Sequence, residues 1–127
     1  MRLQPGIERT DQFVAEGRLL TNVGGTLTVH VLSTPGMISM MERCCSILAY
    51  EQLPDGKATV GFEVCIKHVA AAAQGSACTV HARLDDVIEG RKLRFSVEVV
   101  EGRRTIGVGT HERRIIDRTG PPTIAAS

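Results

Sequence analysis

Residues 37–50 set the first constraint on the fold. Met37, Ile38, Met40, Met41, Cys44, Cys45, Ile47, Leu48 and Ala49 make a helix that is apolar on most sides. Only a narrow polar stripe remains, formed by Ser39, Glu42, Arg43 and Ser46. A helix of that composition must be buried, because no rotation about its axis turns its apolar surface away from water. Its start is also marked. Thr34 suits the N-cap, and Pro35 suits the first helical position, where its missing N–H costs nothing. Pro54-Asp55-Gly56 ends the segment in a turn.

Beyond that turn the chain is strand after strand. Residues 58–68 alternate, with Val60, Phe62, Val64 and Ile66 on one face and Gly61, Glu63, Cys65 and Lys67 on the other. Residues 77–87 place Val80, Ala82 and Leu84 inward and Thr79, His81, Arg83 and Asp85 outward. After the turn Glu89-Gly90-Arg91, the inward row is Leu93, Phe95, Val97 and Val99. Glu101-Gly102-Arg103 then turns into a last strand over 105–116. Short turns between long strands predict antiparallel neighbours. Before the helix, residues 11–31 read as one extended region broken at Gly24-Gly25.

One strand region, one buried helix and a four-stranded meander leave a single helix to cover one apolar sheet face. The simplest solution curls the sheet round the helix. The expected fold is therefore α+β of the hotdog type, a curved antiparallel five-stranded sheet wrapped around one long apolar helix. With 127 residues the chain is expected to form a single domain over 1–118, and residues 119–127, containing Pro121-Pro122, a disordered tail. Aromatics make up only 3% and Trp is absent, so the core must come from aliphatic sheet-on-helix packing. One helix cannot cover five strands completely, and a homodimer is expected to hide part of the remainder.

The net charge of +1 creates no field to favour nucleic acid or an anionic membrane, and so few aromatics argue against base stacking. No apolar run approaches the ~18 residues of a membrane span, and the polar 1–10 segment does not read as a signal peptide. The four cysteines, Cys44, Cys45, Cys65 and Cys78, form no CxxC pair. They read as reduced structural thiols of a cytoplasmic protein. His30, His68, His81 and His111 are not expected to converge, so no metal is predicted.

Three polar residues break the apolar pattern. His68 continues the register of Val60, Phe62, Val64 and Ile66 toward the buried face; the alternative is a strand-end histidine in solvent. Glu42 lies on the helix among Ile38, Cys45 and Ala49; the alternative is solvation beside Arg43 and Ser46, or pairing with a charge. Thr34 sits where the free N–H groups of the first helical turn point, and the alternative is a plain capping role. A desolvated carboxylate costs several kcal/mol unless paired, which makes a buried Glu and a buried His plausible partners. A carboxylate, an imidazole and a hydroxyl together are what acyl transfer needs.

Three blocks carry a resemblance to a known family. They are residues 34–42 (Thr34-Pro35-Gly36-Met37-Ile38-Ser39-Met40-Met41-Glu42), residues 61–71 with the later Gly75, and residues 107–113 (Gly107-Val108-Gly109-Thr110-His111-Glu112-Arg113). In that order and spacing they resemble the fluoroacetyl-CoA thioesterases and their hotdog relatives. The resemblance implies an acyl-CoA thioesterase with Thr34, Glu42 and His68 as its catalytic set. Glu42 would act on the carbonyl or on water, His68 would shuttle protons and Thr34 would polarise. It also implies that the Gly61 backbone lies near the acyl group and that no cofactor is needed beyond the CoA of the substrate. A bending strand glycine is the other reading of Gly61. His111 and Arg113 share a face and are expected to contact CoA phosphates, or else to be solvated strand residues. Residues 21–33 depart from the family's acyl-pocket cover, so the expected substrate is a generic short-chain acyl-CoA.

Two rivals accompany this reading. An enoyl-CoA hydratase would need an Asp–His pair, and none stands at a matching place. A non-catalytic acyl-CoA-binding module would keep the pocket and the dimer without needing Thr34, Glu42 and His68.

Overall fold

The computed structural model describes residues 2–119, so the tail expected over 119–127 lies outside the described residues except for Thr119. Seven strands and one helix follow in the order β1 (Glu8–Val14), β2 (Leu20–Thr21), β3 (Val31–Leu32), α1 (Thr34–Tyr50), β4 (Lys57–His68), β5 (Ala77–Ile88), β6 (Lys92–Glu101) and β7 (Arg104–Asp117). β1, β5, β6, β7 and β4 form one antiparallel sheet in that spatial order, and β2 pairs only with β3. α1 lies across the inner face and touches all five strands of the large sheet.

The inward rows of β5 and β6 are those the alternation predicts. Val80, Ala82, Leu84, Leu93, Phe95 and Val99 are fully buried, and Val97 nearly so. They meet Met37, Met41, Cys44, Cys45, Leu48 and Ala49 from α1 in one core cluster. Gly107 on β7 lets the helix approach the sheet, since a Cβ there would collide with the sulfur and methyl of Met37. Burial drives the Cys44 thiol up to about 12 and raises Cys45 and Cys78 as well, so these three are inert packing groups.

The structure corrects three sequence expectations. The first strand begins at Glu8, and after a single 3-10 turn (Gly17–Leu19) the chain loops rather than continuing extended to residue 31. The alternation of β1 is masked because its inward positions, opposite Ala82 and Val80, are Arg9 and Asp11, which neutralise each other at 2.9 Å. The N-cap of α1 is Ser33, whose hydroxyl accepts from Gly36 N–H at 2.9 Å. Thr34 is the first helical residue, so its hydroxyl is not engaged in capping.

The third correction concerns β4. A bulge between Gly61 and Glu63 leaves Phe62 as the extra residue, and the alternation reverses there. Beyond it Val64, Ile66 and His68 oppose His111, Gly109 and Gly107 and face inward as expected. Before it the inward residue is Gly61, opposite Arg113, while Val60 stands opposite Arg114 on the outer face. Phe62 also lies on the outer side, under the Arg114 guanidinium at 3.6 Å. β4 is an edge strand, and Phe62 (51% exposed) and Val64 (40%) are uncovered on it.

Candidate functional site

The start of α1 and the end of β4 bring Thr34 and His68 together, with Thr34 Oγ1 2.8 Å from His68 Nδ1. His68 reaches this position because it closes the inward row of β4 opposite Gly107, and Thr34 because Ser33 has taken over capping. The other ring nitrogen, His68 Nε2, is buried and has no hydrogen-bond partner among the described residues. A buried imidazole nitrogen without a partner costs free energy, of order 1–3 kcal/mol, that an incoming polar atom would recover.

This pair borders a cleft of about 430 Å³ lined by Thr21, Val23, Val31, Leu32, Val69 and Ala70 among others. The wall is pinned by backbone bonds. Val69 and Ala70 N–H donate to the Ile106 carbonyl at 2.8 and 3.2 Å, and Leu32 N–H donates to Ala72 at 2.9 Å. The cleft is thus mostly apolar with one hydroxyl–imidazole pair at its edge, the composition of a small-molecule site. Of the first-turn amides, Pro35 has none and Gly36 N–H is spent on Ser33, so the helix start offers fewer free donors than the sequence suggests.

Glu42 lies elsewhere. Its Oε2 is 3.9 Å from Arg113 Nη1 and 4.0 Å from His111 Nε2, and its side chain is 41% exposed. Gly61 faces the same carboxylate: a Cβ on it would stand 2.9 Å from Glu42 Oε2. His111 and Arg113 are buried beneath α1 (2% and 7% exposed), which corrects the expectation that they are solvated or offered to phosphates. The inner face of β7 runs under the helix at that point, and little solvent reaches them.

Their hydrogen bonds define their states. His111 Nδ1 is 2.7 Å from the Glu63 carbonyl, an acceptor only, so Nδ1 carries the proton and donates. Nε2 is then the acceptor for Arg113 Nη1 at 3.2 Å. Arg113 also donates from Nε to Thr59 Oγ1 at 2.8 Å and from Nη2 to the Thr59 carbonyl at 3.1 Å. Burial lowers the pKa of His111, and the adjacent Arg113 reinforces it, against the Glu63 carbonyl and Glu42. The result is a neutral imidazole and a fixed guanidinium facing one half-exposed carboxylate. Thr59, Glu63 and Ser33 were missed from sequence. Thr59 and Ser33 are ordinary residues there, and the Glu63 contribution is a main-chain atom.

Within one chain, then, Thr34 meets His68 while Glu42 meets Gly61, His111 and Arg113. Thr34 and Glu42 are eight residues apart on α1, about 12 Å along its axis. Gly61 and His68 are seven apart on β4, about 20 Å along the strand. The expected contact between Glu42 and His68 is absent inside the chain. Among the described residues, no His, Cys, Asp or Glu cluster could hold a metal ion, and no helix is long and apolar enough to cross a membrane.

A profile of the family described as Fluoroacetyl-CoA-specific thioesterase matches residues 14–119. The fluoroacetyl-CoA thioesterase of Streptantibioticus cattleyicolor is 38% identical over 87 residues, 68% of this chain. That match spans 62% of the relative, less than two thirds of its length. A solved structure of a point variant of the fluoroacetyl-CoA-specific thioesterase, in complex with fluoroacetate and CoA, is 30% identical with a TM-score of 0.82, covering 91% of this chain and 97% of that one. A hotdog-like protein from Thermanaerovibrio acidaminovorans, 22% identical, has a TM-score of 0.81 over 90% of this chain and 84% of its own. The sheet curled round α1 is therefore a hotdog fold, and the chain belongs to the fluoroacetyl-CoA-specific thioesterase family of thioester hydrolases.

Proposed function

We propose that the protein hydrolyses a short-chain acyl-CoA thioester, and that its catalytic set is Thr34 and His68 of one copy with Glu42 of a second. The observation that carries this is the hydroxyl–imidazole pair at the edge of an apolar cleft, with His68 Nε2 buried and unpartnered. Binding of fluoroacetate and CoA by a structural relative supports the substrate class. Acyl group and thiol have room there, and the imidazole nitrogen is placed to exchange a proton with them. Water adds to the carbonyl carbon, the carbon–sulfur bond breaks, and the CoA sulfur leaves with a proton delivered through His68. Glu42 takes the proton of the attacking water or attacks the carbonyl itself. Thr34 orients the imidazole and the thioester oxygen.

The second copy is argued from β4. It is an edge strand paired on one side only, with Phe62 and Val64 uncovered, and such an edge is a template for another strand. Two β4 strands pairing antiparallel about a two-fold axis near Val64 and Cys65 would lay the Gly61 end of one beside the His68 end of the other. The Glu42 carboxylate, which faces Gly61, is thereby delivered to the partner's Thr34–His68 pair. A homodimer of this kind would contain two complete sites.

The test is thiol release from acetyl-, fluoroacetyl-, malonyl-, phenylacetyl- and longer acyl-CoAs by the wild type, Glu42→Gln and Thr34→Val. Turnover in the wild type and a fall of at least 10²-fold in Glu42→Gln is the expected result. Mixing the two variants after subunit exchange should restore about a quarter of the wild-type rate, because half the dimers are then mixed and each carries one intact site of two. Background rates with every substrate would instead favour an acyl-CoA-binding module. Variants that are each impaired and whose mixture regains nothing would sink the shared site.

A further inference from the structure

The burial of His111 and Arg113 leaves the anionic end of an acyl-CoA without the cations expected for it. We propose that the β6–β7 hairpin supplies them, with Arg104 and Arg103 receiving the phosphates of the CoA nucleotide at the rim of the Thr34–His68 cleft. This rests on the acyl-CoA reading above and adds the part of the site that holds the nucleotide.

Arg104 is tied to the cleft wall. Its Nη2 donates to the carbonyl of Ala71, a cleft-lining residue, and lies 3.0 Å from Glu101 Oε1. Both bonds use the same nitrogen, so the fork keeps donors on Nε and Nη1, and the side chain is 54% exposed. A guanidinium already held in place loses little entropy on gripping a phosphate, and its planar fork matches the phosphate oxygens. Glu101 offsets part of its charge. Arg103 is exposed and makes no ion pair among the described residues, so its charge is uncompensated.

The distance also fits. His68 stands opposite Gly107, three residues along β7 from Arg104, about 10 Å before the arginine side chain is added. Ile106, which accepts from Val69 and Ala70, ties that stretch of β7 to the cleft wall. A thioester carbonyl at the Thr34–His68 pair would therefore leave its pantetheine arm running along the wall toward the hairpin. Elsewhere on the described surface, the Arg83 guanidinium is engaged with Asp85 on the outer face of the sheet, remote from the cleft.

Calorimetric titration with CoA and with pantetheine, which lacks the nucleotide, tests this on the wild type, Arg104→Ala, Arg103→Ala, the double variant and the control Arg83→Ala. The expected result is CoA binding weakened about tenfold by each cleft-side substitution, with pantetheine binding changed less than twofold. Wild-type affinity for CoA should fall as salt rises, and less steeply in the double variant. In kinetics with an acyl-CoA that the wild type turns over, KM should rise and kcat hold. CoA binding unchanged in the double variant, or pantetheine weakened equally, overturns the proposal. Absence of turnover in the wild type would reject the hydrolase reading alone, since the CoA titration still decides the phosphate site.

Discussion

Gly61 offers the sharpest perturbation, because it separates placement of the Glu42 carboxylate from stability. A Cβ added there would sit 2.9 Å from Glu42 Oε2, and ordinary contact begins at 3.4 Å, so the oxygen must withdraw by about 0.5 Å. The colliding atom is the far end of a flexible, 41% exposed side chain, which can move at little cost. The other near atoms, Arg113 Nη1 and His111 Cε1, are at 3.6 Å and need not move. Gly61 is not among the residues with positive φ, so alanine fits the backbone. Gly→Ala at a compatible site gains about 0.4–1 kcal/mol through the unfolded chain.

Gly61→Ala is therefore expected to keep or slightly raise the melting temperature while kcat falls. A misplacement of about 1 Å costs roughly 10²-fold, so half of that costs about tenfold. The assay is thiol release beside a thermal melt, repeated on the Glu42→Gln background. There the extra methyl should change the residual rate by less than twofold, since nothing remains for it to misplace. An unchanged kcat in the single variant refutes the placement of Glu42 at the reacting centre. A melting temperature lowered by more than about 4 °C refutes the claim that only the carboxylate yields.

Arg113→Met should cost about 2–4 kcal/mol in urea denaturation, because Thr59 Oγ1, the Thr59 carbonyl and His111 Nε2 lose their donor; a loss under 1 kcal/mol contradicts that accounting. His111 is held below its ordinary value by burial, so the unfolded chain takes up its proton first on acidification. Its contribution is full above pH 6.5 and is lost as pH falls toward the folded value, and urea midpoints that rise between pH 7.5 and 5.5 would refute this. At lower pH a second loss follows. Asp11 is held down by its bond to Arg9, and in Glu112 the bonds from Arg114 and Arg94 outweigh an upward push from burial. Ellman's reagent should titrate one thiol per native chain, the exposed Cys65, and four after denaturation; fast reaction at a second site would contradict the burial of Cys44, Cys45 and Cys78.

The range of each interaction decides whether it can be read from sequence. The rows of β5 and β6 were legible because alternation is local and both strands are central, so apolar residues report the face directly. β1 was misplaced because an edge strand can turn Arg9 and Asp11 inward and still satisfy them against each other. In β4 the reading survived for His68 only because it lies beyond the bulge; for Val60 and Phe62 the same count gave the wrong face. Gly61, a bending strand glycine, is the residue type that hints at that bulge, but it does not fix which neighbour is the extra residue. Ser33 and Thr34 are both competent caps, and which one caps decides whether the Thr34 hydroxyl is free for His68. The burial of His111 and Arg113 depends on where α1 crosses β7, a tertiary relation that periodicity does not encode.

The separation of the two polar groups is itself a consequence of the fold. A helix lying across a sheet presents Thr34 at one end and Glu42 more than two turns on, and the extended edge strand keeps Gly61 and His68 further apart still. Separations of about 12 Å along the helix and about 20 Å along the strand hold Glu42 away from the Thr34–His68 pair of its own chain. An antiparallel two-fold inverts the order of residues along the shared edge. It exchanges the ends of β4, and a carboxylate near one end becomes the neighbour of an imidazole at the other. The uncovered Phe62 and Val64 lie on the part of the strand such an axis would cross. Val64→Glu is therefore expected to remove catalysis and association together while leaving the core of each copy intact. Sedimentation beside the thiol-release assay checks this, and a monomer that keeps wild-type turnover would refute the shared site.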